Sequence, residues 1–328
     1  MLVVATVMSL LAAVWIGAGD AVAAPSGSAA IVAEKDNGHR QIDMTVWSPA
    51  MRAQMGLRVL AAPHDSSSAP TLYLLNGAAG GDAGSNWFDR TDIARFFADQ
   101  NVNVVVPKGG AASYFTDWRH DDPRLGRLKW QTFLTQELPP LMDARLHGSG
   151  RNAIAGISMA GTSVFQLALA APGLYRAVGS YSGCAQTSDP EGQAFVRLTV
   201  EARGGGNTVN MWGPPSDPEW RAKDPYVHAA EFAGTSIYVS NGSGLPGKYE
   251  TLDGPGIDGN VGQLAEQVAA GAVIETATNN CAHNLQRRFA ELGVPATFHF
   301  YSGGTHSWGY WNDELHRSWP QIKAALAG

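Results

Sequence analysis

An α/β fold, with a mostly parallel sheet covered by helices on both faces, is predicted by three observations. Short apolar runs such as Thr71-Leu72-Tyr73-Leu74-Leu75 have the unbroken hydrophobicity of strands buried on both faces. Such runs alternate with segments of helical spacing through most of the chain. A strand-like stretch, 152–157, runs through Gly156-Ile157-Ser158-Met159-Ala160-Gly161 directly into a helical pattern. That is the setting of a sharp strand-to-helix turn that lifts a hydroxyl above the sheet.

The elements follow in order. Residues 2–17 are almost wholly apolar, and Ala21-Val22-Ala23 fits the small-x-small pattern of signal cleavage. Residues 1–23 are therefore expected to be an export signal, 24–40 a flexible leader and 41–328 one domain. Residues 41–47 alternate apolar and polar and read as a strand, with 55–61 as its partner. Strands at 71–75 and 101–106 follow. Residues 130–146 have helical spacing, which Pro139 and Pro140 should kink or divide. A strand at 152–157, a helix at 159–171 and short strands at 177–181 and 237–239 come next. The stretches 185–235 and 241–272 lack a clear period and read as insertions, the first covering one end of the sheet. A helix at 279–292, a strand at 296–301 and a helical region at 311–326, broken at Pro320, complete the chain.

Composition narrows the function. The formal net charge is −6, so the chain has no broad electrostatic attraction to nucleic acid or anionic lipid. No P-loop, dinucleotide fingerprint or metal-ligand spacing occurs, and neither a cofactor nor a metal is expected.

The chemistry centres on Ser158. The turn that would carry it is strained, and Gly156 and Ala160 supply the small residues it needs on either side. A serine hydroxyl needs a base. Of nine histidines, His306 is the candidate, because Gly303-Gly304-Thr305-His306 follows the last strand and can swing an imidazole over the serine. His299 lies within that strand, and His283 and His316 fall on helices. The acid should lie between serine and histidine. Glu275 follows Ala272-Val273-Ile274 and precedes a helix, while Asp253 and Asp258 are rivals that spacing alone does not separate. Two backbone amides must meet the oxyanion: that of Met159, after the nucleophile, and that of Ala78, in the small-residue loop after 71–75. Cys184 and Cys281 lack zinc or redox spacing and are expected to form a disulfide in an exported protein.

Several segments have no general meaning for this fold. They include Tyr73-Leu74-Leu75-Asn76-Gly77, Ser113-Tyr114-Phe115-Thr116-Asp117-Trp118, Lys129-Trp130-Gln131-Thr132-Phe133-Leu134, Met211-Trp212-Gly213-Pro214 and Thr305-His306-Ser307-Trp308. On these, with the serine motif, the chain resembles the antigen 85 mycolyltransferases of actinobacterial cell envelopes over residues 40–318. The resemblance implies an α/β-hydrolase fold and a Ser–Glu–His triad that falls on Ser158, Glu275 and His306. It implies oxyanion donors at Ala78 and Met159 and a carbohydrate pocket near the serine, where Asn76 would bond a sugar hydroxyl and Trp308 would offer an apolar face. It also implies a trehalose mycolate substrate, a carbohydrate acceptor and a place at the cell envelope. The chain departs from the best-known members of the family at Asn76-Gly77-Ala78-Ala79, where they have Asp-Gly-Leu-Arg. The alternatives are a secreted carboxylesterase with the same triad and a non-catalytic carbohydrate- or matrix-binding protein on the same fold.

Overall fold

The structure, a computed structural model, describes residues 27–63, 68–82 and 84–328. The expected export signal, residues 1–23, lies outside them. Among the described residues, nine strands form one sheet in the order β1-β2-β3-β5-β4-β6-β7-β8-β9. β1 (Ala30–Asp36), β2 (Gln41–Ser48) and β3 (Ala53–Leu60) pair antiparallel, and β3 pairs antiparallel with β5 (Asn103–Pro107). From β5 onward all pairings are parallel, through β4 (Ala69–Leu75), β6 (Gly148–Ile157), β7 (Tyr175–Tyr181), β8 (Ser236–Gly242) and β9 (Thr297–Tyr301). This is the α/β-hydrolase fold that the sequence predicts.

The core lies on both faces of the sheet, and successive side chains of the central strands divide between the two. Tyr73, Leu75, Val105 and Ile154 join one cluster with Phe165 of the elbow helix (Met159–Ala170) and Leu285 of a long helix (Val261–Leu292). Leu72, Leu74, Val104 and Ala153 join the other, against Trp87, Phe97 and the Leu315 and Trp319 side chains of the C-terminal helix (Trp308–Ala327). Burial on both sides explains why these strands read as unbroken apolar runs.

Four features differ from the sequence expectations. β1 occupies part of the stretch expected to be a leader. It is an edge strand with five of its seven residues exposed, so it carries little apolar signal. Pro139 and Pro140 do not divide the helix: Trp130–Thr132, a π-helical turn (Phe133–Glu137) and Leu138–Leu146 follow one another without a break, and the wider turn sits directly before the two prolines, where the regular hydrogen-bond ladder must be re-routed. Pro320 is exposed inside a C-terminal helix that stays continuous, with Trp319 and Ile322 held in the core on either side of it. Most consequential is the long helix. It begins at Val261, inside the expected insertion, so Glu275 lies in the middle of a helix rather than before one.

Candidate active site

The parallel strands all point their C-terminal ends to one side, the usual position for a site in such a sheet. β6 ends at Ile157, and the chain turns through Ser158 into the elbow helix. Ser158 has φ +55° and ψ −125°, a conformation that costs an L residue on the order of 1–3 kcal/mol. The turn is held by Ser158 N–H donating to Tyr181 O (2.9 Å) and Gly161 N–H donating to Ser158 O (2.9 Å). It also needs missing side chains. A Cβ on Gly156 would lie 2.8 Å from the Ala160 Cβ, and one on Gly161 would lie 2.8 Å from the Gly183 Cα.

The loop after β4 lies against this turn. A Cβ on Gly77 would stand 3.3 Å from the Ser158 Cβ, and the next residue, Ala78, lines the same cavities as Ser158. Met159 opens the elbow helix, where the first four N–H groups have no intrahelical acceptor. Asn76 does not line these cavities. It is fully buried, donating from Nδ2 to Pro107 O (3.0 Å) and accepting from Trp87 N–H (3.3 Å). The expected contact between Asn76 and a sugar is therefore corrected: its amide is used up in bracing the loop.

His306 follows β9. Its Nδ1 is 2.8 Å from Glu275 Oε2, and its side chain is 9% exposed while that of Glu275 is 0% exposed. A carboxylate only accepts, so this contact places the imidazole proton on Nδ1. Nε2 is buried without a hydrogen-bond partner, and the ring lines both cavities beside Ser158. The other carboxylate oxygen of Glu275 accepts from Ser182 Oγ (2.9 Å) and Gly242 N–H (2.7 Å). Ser182 Oγ in turn accepts from Trp311 Nε1 (2.9 Å), and the Trp311 ring stands edge-on to His306 at 4.9 Å. Tyr301 stays a neutral phenol, because burial and then the nearby Glu275 and Glu314 carboxylates push its pKa up. Asp253 and Asp258, the rival acids, are exposed in the loop before the long helix.

The loop before His306 is anchored by Glu250, which accepts from Thr305 Oγ1 (2.6 Å), Tyr310 OH (2.7 Å), Gly247 N–H (2.6 Å) and Gln267 Nε2 (2.9 Å). Cys184 and Cys281 form a disulfide that ties the segment after β7 to the long helix. Sequence reading missed Ser182, Trp311 and Glu250. Ser182 had a signal as a serine directly after the strand next to β6, and Trp311 had one as part of Tyr310-Trp311-Asn312, a further segment shared with the family it resembles.

Two cavities meet at Ser158, Ala78 and His306. One, of about 410 Å³, is mainly apolar and includes Phe195, Leu198, Val273 and Ile274. The other, of about 380 Å³, carries Arg90, Arg203, Gln263 and Glu266 together with Trp308. A larger cleft of about 640 Å³ lies along β9 and the C-terminal helix and includes none of Ser158, Glu275 or His306. Among the described residues no cluster of three or more His, Cys, Asp or Glu side chains could hold a metal ion.

Comparison with known proteins agrees with this architecture. The Esterase family, described as "Putative esterase", matches residues 48–322. The chain is 31% identical over 293 residues to the diacylglycerol acyltransferase/mycolyltransferase Ag85A of Mycobacterium leprae, covering 86% of this chain and 82% of that one. It is 31% identical over 274 residues to Ag85B of Mycobacterium avium, covering 79% and 76%. Among solved structures, Mycobacterium tuberculosis MPT51 superposes with a TM-score of 0.67 at 26% identity, covering 85% of this chain and 96% of that one. The S-formylglutathione hydrolase of Agrobacterium tumefaciens, at 14% identity, shares the fold with a TM-score of 0.64 over 90% and 99% of the two chains. The chain belongs to the antigen 85 family of esterases and acyltransferases, built on the α/β-hydrolase scaffold.

Proposed function

We propose that the protein is an exported serine acyltransferase that moves a long acyl chain, of the mycolyl type, from one sugar ester to a second sugar hydroxyl. The observation that carries this reading is Ser158 at a positive φ, sharing its cavities with a buried His306 whose Nδ1 is held by Glu275. Ser158 Oγ attacks the ester carbonyl as His306 Nε2 takes its proton, and Glu275 stabilises the imidazolium. The Ala78 and Met159 amides hold the oxyanion. The tetrahedral intermediate collapses, and His306 returns the proton to the departing sugar alcohol. In the second half, His306 deprotonates the acceptor hydroxyl, which displaces the acyl group and restores Ser158. The apolar cavity suits the acyl chain and the polar one the sugar. The names of the relatives, diacylglycerol acyltransferase/mycolyltransferase, support the reaction class.

One observation favours simple hydrolysis as a second reading. Position 79, an arginine in the family motif, is an exposed alanine with no donor for an acceptor sugar. Incubation with trehalose monomycolate separates the two. Trehalose dimycolate formed by the parent and lost in Ser158→Ala is the expected result. Free mycolic acid alone would make the protein an esterase. No turnover, together with no labelling of Ser158 by a fluorophosphonate, would overturn both.

A further inference from the structure

The polar cavity holds a cation that no motif assigns. Arg203 closes a π-helical segment (Leu198–Arg203). Its wide turn brings Leu198, Thr199, Ala202 and Arg203 onto the cavity walls, and Arg203 alone among these four reaches both cavities. The backbone beneath it is fixed. Gly204, Gly205 and Gly206 donate to Thr199 O (3.0 Å), Glu201 O (3.0 Å) and Val200 O (2.9 Å). A Cβ on Gly204 would fall 2.3 Å from the Ala112 Cβ, so the glycine run packs where no side chain fits. The acid two positions before it in sequence is otherwise engaged: Glu201 accepts from Thr208 and lies 3.7 Å from Arg197. Among the described residues, Arg203 makes neither an ion pair nor a side-chain hydrogen bond.

Arg90 enters the same cavity from another element. It donates from Nε to Gly84 O (2.8 Å), and its Nη1 lies close over Gly256, another residue of the cavity wall. Glu266 lines the same cavity, while the Gln263 amide is turned toward the Gly256 and Ile257 carbonyls. Two guanidinium groups and one carboxylate suit hydroxyls, which both accept and donate. A phosphate or carboxylate would meet Arg203 favourably but Glu266 unfavourably.

We propose that Arg203, supported by Arg90, is a specificity-determining residue that holds the hydroxyl-rich alcohol portion of the ester. The assignment deepens the acyl-transfer reading and rests on it. The test compares two esters with the same acyl group, 6-O-octanoyl trehalose and p-nitrophenyl octanoate, in the parent, Arg203→Ala and Arg203→Lys. Total deacylation is measured, so the result does not depend on whether water or sugar is the acceptor. Arg203→Ala should lower the ratio of kcat/KM values, sugar ester over aryl ester, by about tenfold or more, as expected for losing a hydrogen bond from a charged donor. The fall should appear mainly in KM for the sugar ester, and Arg203→Lys should recover part of it. A ratio that stays within about twofold, or equal losses on both esters, would overturn the assignment and leave the catalytic reading in place. No turnover of either ester by the parent would overturn both.

Discussion

Glu275→Gln is nearly isosteric, and the structure dictates how the amide must sit. Gly242 N–H is a fixed donor 2.7 Å from Oε1, and a backbone amide cannot reverse its role. The glutamine oxygen must therefore take the Oε1 position. The NH₂ group then falls at the Oε2 position, facing His306 Nδ1 across what is now 2.8 Å. Two N–H groups cannot bond each other, so Nδ1 must become the acceptor and the ring proton must move to Nε2. Nε2 then no longer accepts the Ser158 proton. With Glu275 at 0% exposure, no water can take over the contact. Holding a catalytic histidine in the wrong tautomer costs about 10⁴ in kcat, or about 5.5 kcal/mol of barrier. The assay is steady-state hydrolysis of p-nitrophenyl octanoate, with near-UV circular dichroism to show that packing is kept. A folded variant that retains more than about a tenth of the parent kcat would refute the tautomer argument.

Four further outcomes are expected. Ser182→Ala removes one of the two donors to Glu275 Oε1 and should lower kcat about tenfold with KM little changed; a change confined to KM would show that Ser182 does not act through the carboxylate. Gly156→Ala would press a methyl to 2.8 Å from the Ala160 Cβ and should cost about 1–3 kcal/mol in urea unfolding, so a stability equal to the parent's would mean the elbow can relax. Removing the Cys184–Cys281 link, whose partners are 97 residues apart, should cost roughly 4–5 kcal/mol in the chain-entropy model, and an unchanged melting temperature on reduction would contradict it. Burial pushes the Glu250 carboxyl up, but hydrogen bonds from Thr305, Tyr310, Gly247 and Gln267 outweigh it and hold the pKa below the usual 4.5. A depressed carboxyl stabilises the fold above its unfolded pKa, and that contribution is lost as pH falls through the folded value. The gap in melting temperature between the parent and Glu250→Gln should therefore narrow as pH is lowered from neutrality past 4.5; a gap that stayed constant would count against the anchor.

The parallel half of the sheet was legible because its strands are apolar on both faces, and the Ser158 turn because Gly156 and Ala160 flank it between a strand and a helix. The long helix was not. Its first half packs few side chains into the core, and Val261 and Val273 are exposed at 68% and 71%, so no apolar stripe marks it. Ala272-Val273-Ile274 thus read as an element ahead of Glu275 when it is the preceding turn of the same helix. Spacing could not separate Glu275 from Asp253 and Asp258, because what distinguishes them is three-dimensional. Only Glu275 is buried where Ser182, Gly242 and His306 converge. Asn76 shows the opposite failure: a polar residue in a glycine-rich loop looks like a ligand contact until its partners are seen to be backbone groups.

The long helix also constrains how this enzyme can diversify. Val273 and Ile274 line the apolar cavity, Gln263 and Glu266 line the polar one, and Glu275 sits next in sequence to Ile274. A substitution that reshapes either cavity from this helix tugs on the backbone that carries the carboxylate, so new selectivity gained there is coupled to lost rate. Leu198–Arg203 and the short helix that ends in Arg90 (Trp87–Arg90) face the same cavities but hold none of Ser158, Glu275 or His306. Substrate range can drift through those two segments while the hydrogen-bonded frame around Glu275 stays still. A library built on them should yield active variants far more often than one built on the helix.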